Sequence, residues 1–223
     1  MPLAVAHRGD WSEARENTVA AFQAAERSGA DMIELDVRRT ADDGVVVMHD
    51  PTLERVWGSP LAVADSTLAE LCRVQGVTSL DEALGSVAVP VMVDFTLTDV
   101  VDPALDVIRR AEALDRVLFS GGNVDGHRRL RELAPTARIA LTWKERKLPP
   151  GGLLDELSIE YFNPPWGHVG ERVVELMRER GCKVSTWTVD DPVEMRRVVD
   201  CGVDAVITNR VAELVALLAE APC

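Results

Sequence analysis

Glu34 and Asp36 stand two residues apart in the run MIELDV (32–37). On a strand that spacing points both carboxylates to one face. If that face is interior, the two charges repel, and each is costly unless a cation neutralises it. A bound divalent ion does this, and an all-oxygen ligand set favours Mg²⁺ or Ca²⁺. Asp94, near the end of the later run VMVDF, is available as a third ligand. The plainer alternative pairs Glu34 with an arginine and leaves Asp36 at the surface. His7 and His49 close two other apolar runs. Imidazole titrates near neutrality and suits acid–base work. Arg8 offers a planar fork to phosphate oxygens. With a metal, these groups would clamp a phosphate and move protons on either side of it. His127 and His168 read as solvent-facing or loop residues without a role. Trp187, at a strand end, reads either as core or as a ligand contact.

The elements that must position these residues alternate along the chain. LAVA (3–6), MIELDV (32–37), VVVMH (45–49), VMVDF (91–95), VLFS (117–120), RIALTW (138–143), IEYF (159–162), KVSTWTV (183–189) and AVIT (205–208) read as strands. Asn17 or Thr18 caps a helix whose Val19, Phe22 and Ala25 share a face, and Gly29 ends it. Thr67-x-x-Glu70 and Ser79-x-x-Glu82 are capping boxes for two short helices. Asp102-Pro103 starts another helix, and 124–133, 170–180, 192–200 and 210–219 read as helical. KLPPGG reads as a loop. Such alternation predicts an α/β fold with a parallel sheet, and the length fits a compact (β/α)₈ TIM barrel.

Nine strands are one too many for that barrel. RRTADDG, between the second and third, is too short for a crossover, since parallel neighbours need roughly a dozen residues or more. VVVMH is therefore expected to be the return arm of a hairpin above the second strand. It would carry His49 back to the level of Asp36. A doubly wound open sheet is the alternative. In a barrel, the C-terminal strand ends gather His7, Arg8, Glu34, Asp36, His49, Asp50, Asp94, Ser120, Trp143, Asn163, Trp187, Thr208 and Asn209 at one rim.

Composition narrows the partners. The 223 residues carry a net charge of −13, which argues against a general binder of nucleic acid or anionic membrane. A small anionic substrate remains compatible, because a local field can oppose the global charge. Cys72, Cys182, Cys201 and Cys223 are scattered without a CxxC pair, so neither a zinc site nor a disulfide framework is expected. Reduced thiols, no basic leader before the first strand and no run of about 20 apolar residues lead us to expect a cytoplasmic protein without a membrane anchor.

Several segments together resemble the glycerophosphodiester phosphodiesterase family, within the phospholipase-C-like phosphodiesterases. They are AHRG (6–9), ENTVAAF (16–22), GADMIELDVRRTADDGVVVMHD (29–50), PTLERV (51–56), TSLDEAL (78–84), STWTVDD (185–191) and GVDAVITN (202–209). The resemblance runs nearly end to end. It implies one barrel domain over 1–223 that cleaves glycerophosphodiesters to glycerol 3-phosphate and an alcohol. It implies metal ligation by Glu34 and Asp36, catalysis by His7 and His49, phosphate binding by Arg8, and a glycerol-pocket wall at Trp187. A small insertion over 50–90 is expected to help shape the pocket.

Two departures stand out. Where the family carries Glu-x-Lys, this chain has Asp94-Phe95-Thr96. Aspartate can still bind a metal, but Thr96 cannot supply a lysine's charge near the phosphate, and Lys144 is a candidate to reach in from another rim. Arg15 replaces a proline before Glu-Asn-Thr and either adds positive charge near the site or is exposed. Two other readings stay open: a lysophospholipase-D-type activity on lysolipids, and a catalytically weakened homologue that binds phosphodiesters. Neither the alcohol head group nor the oligomeric state follows from the sequence.

Overall fold

The structure is a computed structural model that describes residues 1–220. Its strands are β1 (Leu3–His7), β2 (Met32–Arg39), β3 (Val45–Val47), β4 (Val91–Asp94), β5 (Val117–Gly121), β6 (Arg138–Thr142), β7 (Tyr161–Asn163), β8 (Lys183–Thr186) and β9 (Ala205–Thr208). Its helices are α1 (Val19–Arg27), α2 (Glu54–Trp57), α3 (Leu68–Leu71), α4 (Leu80–Ser86), α5 (Val101–Arg110), α6 (Val124–Leu133), α7 (Gly151–Leu157), α8 (Glu171–Glu179), α9 (Pro192–Asp200) and α10 (Val211–Ala219). All strands but β3 run parallel, and β1 pairs with both β2 and β9. That closure makes an eight-stranded barrel and excludes the open sheet.

Period-two alternation sorts each strand between two cores. Ala4, Ala6, Ile33, Leu35, Val91, Val93 and Phe119 face outward, into the layer packed by the helices. Val5, Met32, Met92, Leu118, Ala140, Tyr161, Ala205 and Ile207 fill the barrel interior. Continuing along the inward face toward the C-terminal ends, the residues turn polar: His7, Glu34, Asp36, Asp94, Ser120, Thr142 and Asn163. The interior is a sealed apolar floor below a polar mouth.

β3 is the antiparallel return arm on β2, with Val37 opposite Val47. The Met48 N–H donates to the Asp36 carbonyl at 2.9 Å, so His49 does return to the level of Asp36. Thr18 caps α1, and both expected capping boxes form. Residues 46–77 hold a small core of their own, built on Val46, Met48, Leu53, Val63, Leu71 and Val77.

Three sequence expectations need correction. The KLPPGG loop runs into α7, whose Gly151-Gly152 start hides a helical pattern in Leu153, Leu154 and Leu157. α2 was not anticipated; it is a single turn with no buried residue. His127 is not solvent-facing. It lies on the buried side of α6, its Nε2–H donates to the Gly121 carbonyl at 2.9 Å, and its ring meets the Phe95 ring edge-on. Burial pushes its pKa down to about 4. His168 lies in a single 3₁₀ turn. Cys72, Cys182 and Cys201 are free thiols; Cys223 lies outside the described residues.

Gly9 fixes how β1 leads into the site. Its φ is +83°, and a Cβ there would stand 2.7 Å from the backbone carbon of Ala21. Gly9→Ala is expected to destabilise the fold by at least about 2 kcal/mol, through left-handed strain plus overlap with a helix backbone. Gly85→Ala, in open space within α4, is expected to be neutral or to stabilise by up to about 1 kcal/mol. Urea midpoints of the two variants check this, and equal midpoints would remove the argument.

Candidate active site

The register of the parallel strands brings the acidic residues together. His7 lies beside Glu34 across β1 and β2, and Asp36 lies beside Asp94 across β2 and β4. Glu34 and Asp36 are only 5% and 8% exposed. Glu34 Oε2 accepts the Arg8 backbone N–H at 3.0 Å. The Arg8 guanidinium folds back over the pair. Its Nε lies 3.0 Å from Asp36 Oδ2 in an ion contact not aligned for a hydrogen bond, and its Nη1 donates to Glu16 Oε1 at 2.9 Å. Asn17 Nδ2 donates to Asp36 Oδ2 at 2.9 Å. An arginine pair does exist, then, but on Asp36 and inside the barrel. Burial, reinforced by Asp36 and Asp94, holds the Glu34 carboxyl well above the usual carboxylate range. Burial and Asp36 push Asp94 up to about 6, against weaker opposition from Ser120, His49 and Lys144.

The two histidines are supported differently. His7 Nδ1 lies 2.7 Å from Asn209 Oδ1, and its Nε2 lies 3.9 Å from Glu34 Oε2. Burial and the neighbouring Arg8 charge lower its pKa. His49 is exposed, and its Nδ1 lies 2.6 Å from Asp50 Oδ1. Asp50 is held in turn by Arg55, which also grips Glu16 through both Nη atoms.

These groups line one cavity of about 600 Å³. His7, Arg8, Glu34, Asp36, His49, Asp94, Thr96, Lys144 and Trp187 all face it. One wall is a hydrogen-bonded belt. Ser185 donates to Asn163, Asn163 donates to Thr142 Oγ1, and Thr142 meets Ser120 at 3.3 Å. Lys144 Nζ sits 5.6 Å from the centre of the Trp187 ring. No residue of 51–90 lines the cavity, so the insertion does not wall it; its Arg55 reaches the site only through Glu16 and Asp50. Arg15 is exposed, stacks over Trp57 and stays outside the cavity. Glu16 and Arg55 carried no expected role, and Asn17 was expected only as an alternative helix cap, which Thr18 supplies instead. Glu16 and Asn17 lie in the matching ENTVAAF segment and Arg55 in the matching PTLERV segment, the one signal that could have singled them out.

The donor set suits a hard divalent cation. Three carboxylates share a buried region, and burial together with mutual repulsion raises two of them. Among the described residues no three His, Cys, Asp or Glu side chains are set to hold a metal ion, and Asp36 is turned onto Arg8 and Asn17.

Acid–base, phosphate-binding and cation-binding groups thus meet at the mouth of one barrel, a combination suited to hydrolysis of a phosphoric diester. Residues 7–213 match the Glycerophosphoryl diester phosphodiesterase family, and the chain belongs to it. A glycerophosphodiester phosphodiesterase of Caldanaerobacter subterraneus subsp. tengcongensis is 28% identical, over 97% of each chain. A crystal structure of a glycerophosphodiester phosphodiesterase from Thermotoga maritima superposes with a TM-score of 0.85 at 25% identity, covering 97% of this chain and 99% of that one. An Oleispira antarctica phosphodiesterase, solved with the product sn-glycerol-3-phosphate, superposes with a TM-score of 0.92 at 20% identity, over 99% and 98% of the two chains.

Asp94 gives the metal question a pH signature. The fold raises its pKa from 3.8 to about 6, so it favours the protonated acid. That contribution is present below the unfolded value and is lost as pH rises through about 6. Without metal at pH 7.5, Asp94→Asn should therefore be more stable than wild type, by on the order of 2 kcal/mol, with the gap closing by pH 4. Millimolar Mg²⁺ or Ca²⁺ at pH 7.5 should raise the wild-type melting temperature and move the variant less. Thermal melts that ignore every divalent ion would count against a cation among these carboxylates.

Proposed function

We propose that this protein hydrolyses water-soluble glycerophosphodiesters to glycerol 3-phosphate and an alcohol by histidine acid–base catalysis. The observation that carries the reading is two histidines with unlike Nδ1 partners, meeting Arg8 and three carboxylates in one cavity. His7 is half-buried beside Arg8 with a neutral amide on Nδ1, which favours an uncharged ring with a free pair on Nε2. It acts as the base and takes the proton of the attacking oxygen, whether of water or of the substrate's own glycerol hydroxyl. His49 has a carboxylate on Nδ1, which leaves its Nε2–H to protonate the departing alkoxide. Arg8 binds the phosphate, and Trp187 packs against the glycerol. A divalent ion held by Glu34, Asp36 and Asp94, Mg²⁺ or Ca²⁺ by the hardness of its ligands, would polarise the phosphate and make the attacking oxygen more acidic.

Thr96 leaves the cavity short of one cation, and Lys144 is placed to supply it. Both residues line the cavity. Lys144→Ala should lower kcat/KM on glycerophosphocholine by about tenfold, with a larger fall in kcat than rise in KM, as expected for charge used mainly at the transition state. An unchanged kcat would assign Lys144 to the solvated rim.

The deciding assay follows glycerol 3-phosphate release from glycerophosphocholine and glycerophosphoethanolamine, and choline and lysophosphatidic acid release from micellar lysophosphatidylcholine. Protein stripped with EDTA receives Mg²⁺, Ca²⁺ or Mn²⁺ singly. Metal-restored release from the two soluble diesters is expected. Release from the lysolipid alone would move the assignment to a lysophospholipase D. Binding without release would move it to a phosphodiester-binding role. His7→Ala and His49→Ala should each cost about 10²- to 10⁴-fold in kcat with an unchanged melting temperature. Near wild-type turnover in either variant would remove that histidine from the mechanism.

A further inference from the structure

Asp190 lies in the loop after β8, which stays against β9 because the Val189 N–H donates to the Ile207 carbonyl at 2.9 Å. Its carboxylate takes three hydrogen bonds from the end of β9. Oδ1 accepts from Thr208 Oγ1 at 3.1 Å and from the Asn209 N–H at 2.8 Å, and Oδ2 accepts from Asn209 Nδ2 at 2.6 Å. A carboxylate can only accept, so the Asn209 atom facing it is the NH₂. On the other side, the Trp11 indole N–H lies 2.9 Å from Asn209 Oδ1. An indole can only donate, so the atom facing it is the oxygen. Two neighbours of opposite character thus fix the same amide orientation. The same Oδ1 stands 2.7 Å from His7 Nδ1, and an amide oxygen requires a donor there.

We propose that Asp190 and Asn209 are positioning residues that lock His7 in the Nδ1–H tautomer, so that its Nε2 lone pair faces the cavity. Trp11 is the second anchor of the same lock. This rests on the reading of His7 as the base, and it adds the residues that make His7 able to serve. Neither Asp190 nor Asn209 lines the cavity, so both act through His7.

The lock makes a directional prediction for Asp190→Asn. The atom shared by Thr208 and the Asn209 backbone must stay an oxygen, because a main-chain N–H cannot be reversed. The introduced NH₂ then faces the Asn209 side chain and turns that amide round, while the exposed Trp11 indole N–H exchanges its bond for one to water. His7 Nδ1 meets a donor and becomes the bare nitrogen, and the proton moves to Nε2. Two-dimensional ¹⁵N–¹H correlation of the ¹⁵N-histidine-labelled full chain in EDTA reads this directly. The chain has four histidines, and loss of one set of signals in His7→Gln assigns the His7 pair. The wild type is expected as Nδ1–H and Asp190→Asn as Nε2–H, with kcat lowered about 10²-fold and KM little changed. If Asp190→Asn does not fold, Asn209→Ala removes the acceptor and should give mixed tautomers. A wild-type His7 protonated on Nε2, or variants that all keep Nδ1–H, would overturn the proposal. The tautomer is read without turnover, so an inactive wild type would count against the phosphodiesterase reading while leaving this result standing.

Discussion

Burying Glu34 and Asp36 on one strand, with Asp94 in register on the next, is the constraint from which the rest of the mouth follows. An unpaired buried charge costs several kcal/mol even after relaxation. The chain offsets this with the first cation available, Arg8, on the neighbouring strand end. To bring its backbone N–H onto Glu34 and its guanidinium over Asp36, Arg8 adopts a φ of +60°, and Asn17 beside it adopts +56°. Left-handed backbone at a non-glycine residue costs on the order of 1–2 kcal/mol. The strain persists because both ends of the turn are tied: Arg8 donates to Glu34, and the Asn17 N–H donates to the Arg8 carbonyl at 2.9 Å. Gly9 then supplies the one residue that can pass under α1.

The compensation spreads outward as alternating charge. Arg8 needs Glu16, Glu16 needs Arg55, and Arg55 also holds Asp50, which supports His49. The insertion after β3 therefore matters to the site without walling it. Its Arg55 closes a chain of ion pairs running from the buried carboxylates to the exposed histidine. The inner members are shielded from salt and the outer ones are not, so the order of His49 depends on ionic strength more than that of His7. The two histidines are held differently, His7 half-buried against Asn209 and His49 exposed against Asp50. In the proposed mechanism that difference lets otherwise identical side chains take opposite roles.

Much of this was legible from short-range rules. Period-two spacing put Glu34 with Asp36, and the seven-residue link RRTADDG forced the hairpin that returns His49. What stayed hidden depends on distance along the chain. Asn209 meets His7 across 202 residues, and only closure of β1 on β9 brings them together. Glu16 and Arg55, 39 residues apart, look like ordinary surface charges in sequence. His127 was misread for a related reason: α6 is so polar that its one buried imidazole follows the tertiary packing of Phe95, not the local pattern. α7 was masked by glycines whose helical cost is repaid by burying Leu154 and Leu157.

The charges lining the cavity bear on substrate binding more directly than the chain's overall −13. Glu34, Asp36, Asp94 and Glu145 face Arg8 and Lys144 there, so four acids meet two bases. Arg8 is already committed to Asp36 and Glu16. A phosphodiester anion entering the fully ionised cavity meets excess negative charge at short range, where the low dielectric strengthens the repulsion. Two remedies exist. The carboxylates can take up protons, and the raised values of Glu34 and Asp94 mark the start of that route. For Asp94 it fails once the pH passes about 6. The second remedy is a cation of at least two charges among the carboxylates, which would also free Arg8 from Asp36 to turn toward the phosphate.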